Sequence, residues 1–231
     1  MYEKMPISKD FTIEVKSTER SYSPAILAEV EAIWNEEKLC RGDHLYNGHL
    51  LSMLSVTKDH LVGERVEYKH FLGQYVNPAL AKEIQIIPTA VTGIVCAANK
   101  YLIGKRASTV LNHHGLLEFV PSGGIEQGIE NPGIINPSQQ LLLELWEETG
   151  IDASQVVHIT PFVLIQEGEW GPVDICAIIE LLPSALNHQA FPSDEHTSFA
   201  WKTKEELLQD ITLQPNAYAP LTVQLLLGDY L

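Results

Sequence analysis

The chain has 231 residues, enough for one large domain or for a domain with a sizeable extension, and its 45% hydrophobic and 19% charged residues are ordinary globular composition rather than that of a disordered chain. A net charge of -15 argues against non-specific nucleic-acid binding, which draws on positive charge to neutralise phosphates; an anionic ligand would need local help from metal ions or a few basic side chains. Cys40, Cys96 and Cys176 are odd in number, far apart and without CxxC spacing, so they read as buried small hydrophobes and not as a disulfide framework or a zinc site.

The N-terminal ten residues, Met1 to Asp10, lack the charged-then-apolar layout of a signal peptide, and no apolar run approaches the roughly 20 residues needed to cross a bilayer. The expectation is a cytosolic (cytoplasmic) protein with no membrane partner. Phe11 to Lys16 alternates apolar with polar, the pattern of a strand with one buried side. A helix follows, with Ser23 as its cap, Pro24 at its first position, and Ile26, Leu27, Val30, Ile33 and Trp34 at helical spacing. Trp34, a single aromatic on that apolar stripe, reads as core. The runs His49 to Thr57 and Leu61 to Tyr68 form a β-hairpin around Lys58-Asp59-His60. Asn77-Pro78 opens a short helical stretch, and Pro88 marks the start of a second part of the chain. The domain expectation is an N-terminal α+β extension over 1–86 and a main domain over 87–231.

Thr89 to Ala98 is almost continuously apolar, as a strand buried on both faces would be, and Asn99-Lys100 turns it into a second strand that ends at Lys105 and Arg106. His113-His114 lies in a loop without further residues at metal-ligand spacing. Leu116 to Val120 leads into Pro121-Ser122-Gly123-Gly124, whose glycines permit backbone conformations closed to other residues and a close approach to a ligand. The segment from Glu126 to Pro137 is expected as loop, with Pro137 opening an acidic helix. In that helix Glu144, Glu147 and Glu148 stand three and four positions apart and share one ridge, while Leu141, Leu142, Leu145 and Trp146 ask for burial. The mutual repulsion of three carboxylates is relieved by a hard divalent ion; magnesium takes oxygen ligands, usually one or two carboxylates with substrate phosphates and water. Val156 to Gln166 and Val173 to Leu181 read as strands around a loop carrying Glu167 and Glu169, Phe199-Ala200-Trp201 as a closing strand, Thr203 to Glu206 as a capping-box helix start, and Asn216 to Gly228 as a last helix with Val223, Leu226 and Leu227 inward.

The run from Leu141 to Ile151 resembles the second half of the Nudix box, G-x5-E-x7-R-E-U-x-E-E-x-G-U with U aliphatic: Glu144, Leu145, Glu147, Glu148, Gly150 and Ile151 fit. In the first half, Gly124 is followed after five residues by Glu130. Two departures stand out: twelve residues separate Glu130 from Leu143 where the family has seven, and Leu143 replaces the arginine that pairs with the first glutamate. From the Trp34 helix through the hairpin to Phe71-Leu72-Gly73, the order of elements looks like the N-terminal region of the UDP-sugar-hydrolysing Nudix proteins.

The resemblance implies an α+β fold, a Nudix α/β/α sandwich with a mixed sheet. It implies Mg²⁺ (Mn²⁺ possible) on Glu144, Glu147 and Glu148, with a main-chain carbonyl near Gly124 as an extra ligand. Lys105 and Arg106 would meet substrate phosphates, and a general base would come from Glu147, Glu148, Glu167 or Glu169, with Asp194-Glu195-His196 a second region for that role. The implied reaction is hydrolysis of the diphosphate bond of a nucleoside diphosphate derivative, with a UDP-sugar first and ADP-ribose or another nucleotide-sugar second. A non-catalytic nucleotide sensor or protein-binding module on the same fold is the rival, and the assembly is a monomer or homodimer.

Overall fold

A computed structural model describes residues 2–17, 20–42, 45–110, 112–126, 128–188, 193–228 and 230. The first elements are strands β1 (Tyr2–Pro6) and β2 (Thr12–Lys16), helix α1 (Pro24–Arg41), strands β3 (His49–Val56) and β4 (His60–Glu67), and helices α2 (Tyr68–Val76) and α3 (Ala81–Ile84). Strands β5 (Thr89–Ala97), β6 (Lys100–Arg106), β7 (Leu117–Phe119), β8 (Ser122–Gly124) and β9 (Gly133–Ile135) follow, then α4 (Pro137–Thr149). The chain closes with β10 (Val156–Glu167), β11 (Val173–Leu181), β12 (His196–Lys202), α5 (Lys204–Leu213) and α6 (Pro220–Leu226). Two compact units result: Met1–Val91 with Gly124–Pro137 and Phe162–Ile175, and Thr92–Gly123 with Ser138–Pro161 and Cys176–Leu231. No helix among the described residues is long and apolar enough to cross a membrane.

In the first unit, four strands lie in the order β3-β4-β2-β9. The β3/β4 hairpin is antiparallel, β2 runs parallel to β4, and β9 is antiparallel to β2 with Ile13 opposite Ile135. Strand β9 corrects the reading of 126–137 as plain loop: Gly133-Ile134-Ile135 gains hydrogen-bonding partners by joining the free side of β2. Strand β1, also unassigned from sequence, pairs antiparallel with the end of β10, Pro6 opposite Val163 and Tyr2 opposite Glu167. Helix α1 begins as expected, the Ser23 hydroxyl accepting from the Ile26 N–H at 3.3 Å ahead of Pro24. It packs on α2 where Gly73 admits Val30; a Cβ at Gly73 would stand 3.0 Å from Val30 Cγ2. Val30, Val66, Leu80, Ile84 and Ile86 form the core between these helices and the sheet, and Trp34 is buried in an adjoining cluster with Leu45 and Leu72. Buried Gln74 completes this core: its amide donates to the Ile86 carbonyl at 2.8 Å and accepts from the Ile86 N–H at 2.9 Å, supplying the pair of bonds a neighbouring strand would give.

The larger sheet includes strands in the order β10-β11-β5-β6-β12, with β7 on β6. A two-residue turn, Ala98 (φ 44°) and Asn99 (φ 63°), joins β5 to β6; both residues take the left-handed conformation that matches hairpin twist. The expected capping box at α5 is present, Thr203 accepting from the Glu206 N–H and the Glu206 carboxylate from the Thr203 N–H. Three readings need correction here. The closing strand starts at His196; the last helix is confined to Pro220–Leu226 after a 3-10 turn at Pro215–Ala217, with Thr222, Leu225 and Leu226 inward and Leu227 exposed; and of the cysteines Cys176 is buried while Cys40 is exposed.

Candidate active site

The site grows from β8 and helix α4. Helix α4 starts at Pro137 and stops at Gly150, whose φ of 71° suits glycine and whose N–H returns to the Trp146 carbonyl at 2.8 Å. Leu141 and Leu145 are fully buried, which fixes the rotation of the helix; Trp146, expected inside, is 56% exposed because that rotation turns it outward.

With the helix so turned, the three glutamates separate. Glu148, one turn beyond Glu144, is only 3% exposed, and its Oε1 accepts from the Ser122 N–H at 2.8 Å. Glu144 is partly buried; Gln140 Nε2 donates to its Oε1 at 2.6 Å, and its carboxylate lies so close over Gly123 that a Cβ added there would fall on it. Glu147 is exposed on the helix surface. Gly123 is therefore the residue whose missing side chain makes room for a carboxylate, while a Cβ at Gly124 would meet nothing within 4 Å.

Behind Glu148 stands a network of buried charge. His196 is fully buried, with Nε2 2.9 Å from Glu118 Oε1 and Nδ1 3.4 Å from Glu148 Oε2. Arg106 Nη1 donates to the same Glu118 oxygen at 2.5 Å, and its Nε donates to the Asn112 carbonyl at 3.0 Å. The ring of His196 lies against Gly104, where a Cβ would stand 2.6 Å from His196 Cδ2, and 5.5 Å from the Phe199 ring. The register of β12 on β6 shifts between His196 and Ser198. Since Glu118 is an acceptor, it fixes the histidine tautomer with hydrogen on Nε2 and leaves Nδ1 facing Glu148. Burial, and then the charges of Glu195, Glu144 and Glu118, raise the Glu148 pKa well above the usual carboxylate range, against the opposing bond from Ser122. Glu148 Oε2 and His196 Nδ1 have no hydrogen-bond partner.

Among the described residues no three His, Cys, Asp or Glu side chains converge as a ready-made cation cage. Two carboxylates from one helix, one with an orphaned buried oxygen, instead fit an ion of the magnesium kind, which takes one or two protein carboxylates and fills its shell with phosphate and water. The other residues expected at the site are dispersed in character. Lys105 is exposed at the end of β6, and Arg106 is committed to Glu118. Glu167 and Glu169, both exposed, belong to the first unit, where Glu167 accepts from the Tyr2 hydroxyl at 3.0 Å. Glu118 escaped sequence reading although it left a signal: a carboxylate inside the apolar run Leu116 to Val120 requires a buried partner.

No family model matches the chain, and no curated protein matches it by sequence. Solved structures do match. DR0079 from Deinococcus radiodurans is 17% identical, the match covering 80% of this chain and 100% of that one with a TM-score of 0.52. A Nudix hydrolase from Nitrosomonas europaea is 17% identical over 62% of this chain and 88% of that one, TM-score 0.41. A bifunctional NMN adenylyltransferase/ADP ribose pyrophosphatase from Francisella tularensis, solved with AMP and a manganese ion, is 14% identical over 70% and 48% of the two chains, TM-score 0.48. Identities this low speak for fold alone. The fold is α+β, as expected, and is shared with DR0079.

Proposed function

We propose that the chain is a Nudix pyrophosphohydrolase that uses Mg²⁺, or Mn²⁺, to cleave the diphosphate bond of a nucleoside diphosphate joined to another group. The observation that carries this reading is the meeting of Glu144 and Glu148 with Ser122-Gly123 of β8, where a main-chain N–H orients one carboxylate and an absent side chain admits the other. Glu144, Glu147 and Glu148 would hold the ion, with the Gly124 carbonyl as a further ligand. The ion supplies neutralisation of phosphate charge and acidification of water. Phosphoryl transfer asks of the protein chiefly position and electrostatics, so Ser122 and Gln140 contribute by fixing the two carboxylates before substrate arrives.

Lys105 would screen substrate phosphates, and Arg106 would act mainly through Glu118, to which it is bonded. Glu147 and Glu148 are the first choices for accepting a proton from attacking water, with Glu167 and Glu169 as alternatives. The leading substrate class is a UDP-sugar, giving UMP and sugar 1-phosphate; ADP-ribose or another nucleotide-sugar comes second. We place the protein in the cytoplasm as a monomer or homodimer, without nucleic-acid or membrane partners, and regard residues 1–86 as an extension of a catalytic domain over 87–231.

Metal-dependent release of a nucleoside monophosphate from a panel of nucleotide-sugars tests the reading. Glu147→Gln should remove turnover while changing stability by no more than about 0.5 kcal/mol, since the residue is exposed. Full activity in that variant would refute the assignment. A sensor, the reading favoured by Leu143 in place of an arginine, would bind such a ligand without product release.

A further inference from the structure

The first unit contains an open cavity of about 440 Å³, within the range of small-molecule sites, and nothing in the proposed reaction uses it. Its lining includes Tyr22, His49, Arg65 and His70, and one wall is the turn Ile129-Glu130-Asn131-Pro132 that precedes β9. The second half of that turn, Asn131-Pro132, opens the stretch that is longer than in the Nudix box, and β9 anchors it on β2. The additional residues therefore build a cavity wall instead of a free loop.

We propose that this cavity binds a small organic anion, a phosphate monoester or a carboxylate carried on a flat apolar body. Three observations support that chemistry. Arg65 donates to His49 Nδ1 at 2.9 Å, and among the described residues no carboxylate pairs with it, in a chain where 30 acidic residues outnumber 15 basic ones. A guanidinium left without a carboxylate presents paired donors suited to an oxyanion. His70 is 9% exposed, lines the cavity, and has an Nε2 with no hydrogen-bond partner; a buried ring nitrogen of this kind calls for a polar atom from a ligand. Burial also holds the His70 pKa below its ordinary value, so the ring meets a ligand as a neutral imidazole. Finally, the Tyr22 ring lies 4.9 Å from the His70 ring, and Val15, Val66 and Ile129 add apolar wall, which favours a flat apolar body over a bare ion.

The other cations of the lining are already answered. Arg20 is bonded to Glu64, to the Ile84 carbonyl and, at 3.3 Å, to Ser52 Oγ, so it supports the wall; Lys16 pairs with Glu14. Glu67 accepts from Asn47 Nδ2 at 2.6 Å and lies 3.6 Å from Lys69, and Glu130 is exposed. Arg65 is thus the cation available to a ligand.

The test is titration of the full chain, in EDTA so that the acidic box holds no cation, with phenyl phosphate, benzoate and neutral benzyl alcohol, read by calorimetry and by the side-chain ¹H–¹⁵N resonances of His70. Saturable binding of phenyl phosphate or benzoate with a shift at His70 Nε2 is expected, and which of the two binds identifies the oxyanion. Arg65→Gln, at an exposed strand position, should keep the wild-type circular dichroism and weaken that binding roughly tenfold or more. The proposal is overturned if neither anion saturates, if benzyl alcohol binds equally well, or if Arg65→Gln binds as the wild type does.

Discussion

Replacing Glu148 by Gln should stabilise the protein at pH 8 in the absence of divalent ions. Glu148 Oε1 accepts from the Ser122 N–H, a bond the amide oxygen of Gln can keep, whereas Oε2 is buried, unpartnered and 3.4 Å from His196 Nδ1. A Gln amide places an N–H donor opposite that nitrogen and removes a carboxylate whose ionised form burial disfavours. Relief of one unsatisfied buried polar group is worth about 1–3 kcal/mol, and for a chain of this size each kcal/mol moves Tm by roughly 2–4 °C. The sign of the pH dependence follows from the raised pKa. The folded state holds the Glu148 proton more tightly than the unfolded state, so this group costs stability at high pH, and the cost disappears as pH falls through the folded pKa toward the unfolded value near 4.5. Urea unfolding of both proteins in EDTA at pH 8 and pH 5 measures the effect. The gain of Glu148→Gln should be present at pH 8 and largely gone at pH 5. A variant less stable than wild type at pH 8 would show that Glu148 and His196 form a favourable ion pair, and would refute this account. If the ridge holds metal, millimolar Mg²⁺ should raise the wild-type Tm and leave the variant unmoved.

Two glycines of the second unit should respond differently to Ala. At Gly123 the new Cβ meets the far end of a flexible glutamate, so Gly123→Ala should cost less than about 1 kcal/mol but displace Glu144 and cut metal affinity and turnover together. At Gly104 it meets the buried ring of His196 at 2.6 Å and Val120 at 2.7 Å, so Gly104→Ala should cost about 1–3 kcal/mol in thermal or urea unfolding. In the first unit Gln74→Ala strands both the N–H and the carbonyl of fully buried Ile86, a loss of roughly 2–6 kcal/mol at about 1–3 kcal/mol for each group, read as a fall in the urea midpoint.

The parts of the fold that were legible are those whose information is local. Ser23-Pro24, Thr203 with Glu206, Pro137 and Gly150 satisfy helix ends with their own chemistry, and the apolar run in β5 has one comfortable place, inside a sheet. Strand β1 was not legible because Tyr2-Glu3-Lys4-Met5-Pro6 is paired along β10 with its side chains mostly in solvent, so no alternation marks it. The site divides in the same way. Spacing placed Glu144, Glu147 and Glu148 on one ridge, but which of them is buried depends on the helix rotation that Leu141 and Leu145 set by burial, information held by the packing partners. His196 and Glu118, 78 residues apart, acquire their roles only when β12 and β7 both pair with β6.

The two departures from the Nudix box can be understood as one change. In the resembled pattern the first glutamate is held by an arginine, and a fixed seven-residue spacer keeps the pair in register. Leu143 offers no charge to hold Glu130, so Glu130 has no reason to keep that register, and the spacer between them becomes free to lengthen. Extra backbone cannot simply be buried or left as an apolar loop, because its N–H and carbonyl groups need partners. Here Gly133-Ile134-Ile135 finds them on β2, and the turn ahead of it, Glu130 included, becomes a wall of the cavity. A leucine at position 143 thus leaves the proposed metal site its own supports: the bonds that orient Glu144 and Glu148 come from Gln140 and Ser122, and neither depends on Glu130.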